Sequence, residues 1–234
     1  MKLGFILLLN TFVFTIKAQN GLGSWNILNF SAKIDSKWSF FVEPQLRSLA
    51  FYNDFHYYEY KAGLTYKITN NFSVTTGIGN YNTYSENGNF EAPIQNKETR
   101  TWLQMNVKTN IGRTVFENRF RTEQRFASNG YRNRFRLRFG ATVPINNLKT
   151  KPKTISAVVW NEIFFTNNEP YFERNRFFAG FGYEVNKNFG VQTGFIQQFD
   201  YKINDETGRH FFNISLLYHI DLSNKKGFSP TTID

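Results

Sequence analysis

The chain has 234 residues, a formal charge of +10 and no cysteine. The missing cysteine excludes disulfides, thiolate metal sites, thiol nucleophiles and a lipid anchor on an N-terminal cysteine. The length suits one large β domain. An aromatic share of 18%, with Phe 27 and Tyr 12, favours strands. A basic balance can mark a nucleic-acid binder, but here the cations alternate with apolar residues and form no solid block, which argues against that partner.

Residues 1–18 read MKLGFILLLNTFVFTIKA. Lys2, an apolar run from Leu3 to Ile16, and Ala18 ahead of Gln19 together predict a secretory signal peptide. The run is too short, and too interrupted by Asn10 and Thr11, to span a membrane as a helix. No later stretch is apolar enough for one, so membrane residence requires a β-barrel. Residues 19–222 are expected to form that barrel in the outer membrane of a Gram-negative-type bacterium, and residues 223–234 a polar tail.

Residues 25–34 alternate weakly. Residues 38–46 put Trp38, Phe40, Val42, Pro44 and Leu46 on one face, with Ser39, Glu43, Gln45 and then Arg47 on the other. In residues 57–68, Tyr58, Tyr60, Ala62, Leu64 and Tyr66 oppose Glu59, Lys61, Gly63 and Thr65. After Asn70 and Asn71 the chain returns through Phe72, Val74, Thr76 and Ile78, and residues 85–97 read as a polar loop. Leu103, Met105 and Val107 then alternate with Arg100, Gln104, Asn106 and Lys108. Residues 115–143 carry the strictest pattern. Glu117, Arg119, Arg121, Glu123 and Arg125 share one face, and after a short polar break so do Arg132, Arg134, Arg136 and Arg138. Phenylalanine and leucine occupy the opposite face, and a period of two means extended strand.

Residues 155–165 are more continuously apolar and include Trp160 and Glu162. Residues 166–175 read as a loop, and residues 176–185 as a strand opened by Arg176. Residues 189–199 and 212–222 complete the strands, with a polar loop at 200–208 between them. The sum is an all-β, antiparallel up-and-down transmembrane barrel of about 10–12 strands, even numbers being usual. In an even set of ten, residues 25–34 would need a partner strand before them or would lie in or across the lumen. Connections are short at Asp35, Asn70, Gly112 and Asn186 and generally longer elsewhere, as periplasmic turns and outside loops are. Gly63, Gly77, Gly79, Gly140, Gly180, Gly182, Gly190 and Gly194 all share the polar face. Glycine there makes room, and arginines crossing a narrow lumen are the expected occupants of that room. The expected lumen is charged and largely occluded.

The Glu117 to Arg125 strand, the Arg134, Arg136, Arg138 strand, Asn161 with Glu162, and Arg176 followed by residues 179–183 resemble a family of uncharacterised outer-membrane barrels, domain of unknown function 2490. The resemblance covers nearly all of the chain after residue 18. It implies the barrel fold and its location, and it assigns no reaction.

The candidate site is therefore a lumenal charge network of Glu43, Arg47, Glu59, Arg100, Glu117, Arg119, Arg121, Glu123, Arg125, Arg132, Arg134, Arg136, Arg138, Glu162 and Arg176. Its first reading is structural, because buried charges require partners. Its second is selection of small anionic solutes, because cation rings attract anions. No catalytic residue, metal site or cofactor is assigned. The expected partner is outer-membrane lipid. Ser215 and His219 share a face but stand about 13 Å apart along a strand, so a lipid-modifying enzyme would need a serine from another strand. A soluble secreted β-barrel or sandwich that binds a ligand is the remaining alternative, and it would turn the apolar faces inward. Trp25, Trp38, Tyr57, Phe72 and Tyr131 are candidates for interfacial girdles.

Overall fold

The computed structural model describes residues 18–91, 93–201 and 206–223. The expected signal peptide up to Lys17, and the tail beyond Ser223, lie outside the described residues. Eleven strands follow one another: β1 Ala18–Lys33, β2 Trp38–Ala50, β3 Asn53–Lys67, β4 Phe72–Tyr84, β5 Ile94–Ile111, β6 Thr114–Ala127, β7 Gly130–Pro144, β8 Ile155–Thr166, β9 Phe172–Glu184, β10 Phe189–Asp200 and β11 Thr207–Asp221. No helix occurs among the described residues.

The strands close into one barrel in which each pairs with its sequence neighbour and β1 meets β11. All pairs are antiparallel except that last one, which is parallel from Leu22 opposite His210 to Lys33 opposite Asp221. Eleven strands fall within the expected 10–12, while the leaning towards an even count and the expectation of a wholly antiparallel sheet are corrected. With eleven alternating strands, the first and last run the same way, so closure between them has to be parallel. Residues 25–33 need no earlier partner and do not cross the lumen as a plug; they are part of the wall strand β1, which also pairs antiparallel with β2.

Three of the tight connections share one device. The Asp35 carboxylate accepts from the backbone N–H of Lys37 at 2.7 Å and of Trp38 at 2.8 Å, which holds its carboxyl below the usual aspartate range. Thr69 and Asn186 accept in the same way from the residues two and three positions on. These side chains mimic a backbone turn partner. The four connections expected to be short are short and share one end, but the contrast with a long-loop end is realised only in part. The connection 145–154 lies at the same end as the Asp35 turn, while the opposite end holds the two-residue connections 51–52 and 128–129.

Within β6 and β7 the register sets Arg119 opposite Arg138, Arg121 opposite Arg136 and Arg125 opposite Arg132. Every one of these side chains faces the lumen, and Phe120, Phe135 and Phe139 face outward, where they are exposed. The alternation expected for residues 115–143 therefore holds. The same inside-out arrangement runs around the barrel. Phe30, Phe40, Tyr60, Ile78, Leu103, Phe181, Phe195 and Leu216 are exposed, whereas Arg47, Glu59, Glu98, Arg121, Glu123, Arg134 and Glu162 are buried.

The expected room-giving role of the glycines holds, but the occupants differ. A Cβ on Gly77 would lie 2.2 Å from the Trp102 ring, and one on Gly180 or Gly194 within 2.9 Å of the Phe178 ring. Aromatic rings take the space beside these glycines, and the arginines pack against rings. A Gly180→Ala change also drives its methyl to 2.1 Å from the Thr193 carbonyl, so it is expected to cost about 1–3 kcal/mol. At Gly182 the nearest atom is Val158 Cγ2 at 3.7 Å, so Gly182→Ala is expected to stay within about 0.5 kcal/mol of wild type. Urea midpoints of the folded barrel compare the two.

Candidate functional site in the barrel lumen

Two cavities occupy the lumen, of about 850 Å³ and about 380 Å³. Asn29, Phe41, Gln104, Arg119 and Arg138 line both and form the waist between them. Thirteen cationic side chains line the larger cavity against seven carboxylates. Nearly half of the chain's 28 Lys and Arg residues are thus spent on one interior space. The expected occlusion is partial, since the larger cavity is of small-molecule size.

The register explains how the charges pair. Like charges directly opposite on neighbouring strands repel, so the arginines of β6 and β7 draw on carboxylates of β5, β8 and β9 as well as on Glu117 and Glu123 of β6. Glu98 on β5 receives Arg125 and, at 2.7 Å, Arg100. Glu173 at the start of β9 receives Arg134, with Arg125 at 3.3 Å and Arg132 at 3.4 Å. Glu162 on β8 receives Arg119, and Arg136 at 3.0 Å. Arg136 also reaches Glu123 at 2.6 Å, a carboxylate shared with Arg121 at 3.5 Å. On the far wall, Lys61 bridges Glu43 at 2.5 Å and Glu59 at 2.7 Å, and Arg47 meets Glu59 at 3.2 Å. Nearer the Asp35 end, Glu117 joins Lys108 at 3.1 Å and Arg138 at 3.5 Å.

Rings carry the remaining contacts. The Arg47 guanidinium lies 4.2 Å from the Tyr57 centroid and 3.4 Å from that of Trp25. Arg176 lies 4.8 Å from Trp25 and 4.8 Å from Phe164, and Arg136 lies 4.6 Å from Phe164. Rings and guanidiniums therefore alternate across the lumen from β3 to β7. Desolvated contacts of this type contribute about 2 kcal/mol each. Arg121 over Trp102, Arg100 over Tyr81 and Arg138 over Trp160 repeat the pattern.

All fifteen expected residues face the lumen, and fourteen of them enter ion pairs; among the described residues Arg176 meets no carboxylate. Glu98, Glu173, Arg174 and Asp200 are members that the sequence reading assigned to no site. Glu173, Arg174 and Asp200 fell in stretches read as loops, because β9 starts earlier and β10 ends later than its alternation suggests. Trp25 and Tyr57 are buried lumenal residues and not girdle members, which leaves Trp38, Phe72 and Tyr131 on the outer face. A serine from another strand does meet a histidine: Ser31 Oγ lies 2.5 Å from His219 Nδ1 across the parallel seam. Among the described residues no group of three or more His, Asp or Glu side chains is placed to hold a metal.

These features define a closed β-barrel with a basic, aromatic-lined interior. The chain belongs to a family of proteins of unknown function, DUF2490, whose model matches residues 22–209. No curated protein and no solved structure matches it.

Removing Glu123 tests the network. Its side chain is fully buried, so Glu123→Gln leaves Arg136, Arg134 and Arg121 short of charge and is expected to destabilise by about 3–5 kcal/mol. Glu117→Gln, at the more exposed pair, is expected to cost under about 1 kcal/mol. Denaturant midpoints of the folded barrel in detergent give both values.

Proposed function

We propose that this chain is a non-enzymatic outer-membrane β-barrel whose arginine and glutamate network braces a narrow lumen, serving as a structural membrane protein or a narrow channel for small anionic solutes. The observation that carries the reading is the outer face: each of the eleven strands exposes at least one large hydrophobic side chain there. Such a surface is costly in water and suited to lipid. Outward polar groups support it by pairing with each other. Asn161 and Asn175 exchange amide hydrogen bonds at 3.1 Å, Thr99 donates to Asn80 at 2.9 Å, and Thr101 to Gln124 at 3.1 Å. A soluble binder would present the opposite faces.

The protein is expected to fractionate with outer membranes and to show heat-modifiable gel mobility. Full solubility without detergent overturns the reading. Phe181→Lys, on the outward face, is expected to cost about 2–4 kcal/mol in lipid; an unchanged unfolding free energy in vesicles counts against lipid contact there. In planar bilayers, a channel gives a current that Arg136→Ala alters, and silence in both proteins assigns the structural role.

The Ser31 and His219 contact favours a second reading, a barrel enzyme acting on lipid esters. Asp221, which shares the His219 face, is engaged by Lys33 and Ser223, so it does not orient the imidazole. Ester hydrolysis lost in Ser31→Ala would establish this reading in place of the first.

A further inference from the structure

Arg176 stands apart from the other cations around the larger cavity. Among the described residues, it alone of the thirteen meets no carboxylate. Its side chain is nevertheless buried, with 6% of the residue exposed. Nε donates to Gln198 Oε1 at 2.8 Å, and Gln198 is itself held by donating to Asp200 Oδ2 at 2.6 Å. The two terminal nitrogens have no hydrogen-bond partner among the described residues. They are not sealed in packed protein, and the side chain lines the cavity, so these donors open onto it.

The rings of Trp25 and Phe164, each 4.8 Å from the guanidinium, fix its plane. Arg47 stands over the same indole and Arg174 over the same Phe164 ring, so other positive groups surround it. A buried guanidinium with unmet donors is unstable unless water or an anion completes it. The surplus of cations over carboxylates in the cavity favours the anion, and the planar fork of arginine matches an oxyanion through two parallel hydrogen bonds.

We propose that Arg176 anchors a binding site in the lumen for the oxyanion group, carboxylate or phosphate, of a small solute. Gln198 sets the orientation of the fork, and the surrounding guanidiniums supply the attracting field. The site goes beyond the membrane and channel reading, because it requires only the folded barrel and is tested in detergent.

Isothermal titration of the detergent-folded barrel with inorganic phosphate and, separately, with succinate tests it. Binding of at least one is expected, weakening with added sodium chloride. Phosphate alone, or succinate alone, identifies which oxyanion the site takes. Arg176→Gln is expected to lower the affinity at least tenfold and Arg176→Lys to retain part of it, while Lys37→Gln, which removes one exposed charge, changes it less than twofold. Heat-modifiable mobility checks that each variant is folded. Should Arg176→Gln not fold, the Arg176→Lys comparison and a rise in the wild-type unfolding temperature with phosphate or succinate carry the test. No binding of either anion by wild type, or equal affinity in folded wild type and Arg176→Gln, overturns the proposal.

Discussion

Charge placed inside a closed sheet must find its counter-charge inside as well, and this requirement shapes the whole barrel. The β6 and β7 register sets arginine against arginine at three of four successive lumenal levels, and Glu123 against Arg134 at the other. Such a ladder would repel itself if its partners were confined to those two strands. Glu98, Glu162 and Glu173 resolve the conflict from β5, β8 and β9, and Glu162 and Glu173 reach past the neighbouring strand to arginines of β6. The ion pairs thereby fix the cross-section as well as satisfying the charges. Buried salt bridges are weak evidence for net stability, but a network whose members come from many strands specifies one closure over others.

Glycine, ring and guanidinium form the second layer of that arrangement. Gly77 lets Trp102 lie against the wall, and Trp102 in turn faces Arg121. Phe178 covers Gly180 and Gly194 and stacks on Trp160 at 5.3 Å, which faces Arg138. The rings shield the wall from the charges and give the guanidiniums flat, apolar supports. This is why so basic a lumen still holds a compact arrangement of side chains.

Much of the fold was legible in the sequence, because alternation in β3, β6, β7 and β11 is strict and each face has one chemistry. Closure was not. A parallel contact between β1 and β11 joins residues about 190 apart in sequence and leaves no local mark in either strand. Parity also failed at irregular places. Register shifts between Arg47 and Ser48 and between Phe164 and Phe165 interrupt the period of two, and Glu173 is the residue skipped opposite the second of these. The aromatic members of the site were concealed for a different reason: Trp102, Phe164 and Phe178 fit a lumen and a lipid face equally well by residue type. Their position on the polar parity of their strands was the available signal. That Arg176 meets no carboxylate among the described residues could not be read at all, since ion pairing across a barrel depends on which walls face each other.

The parallel seam has a geometric consequence. In barrels with an even number of antiparallel strands, the outer ends of the first and last strands emerge at one rim, where a few residues could join them. Here the Ala18 end of β1 and the Asp221 end of β11 emerge at opposite rims. A circular permutation would therefore need a linker as long as a strand, laid along the outer wall or threaded through an interior already occupied by side chains. The order of strands in this barrel can be cut and rejoined only at such a cost, which ties its topology to its present starting point.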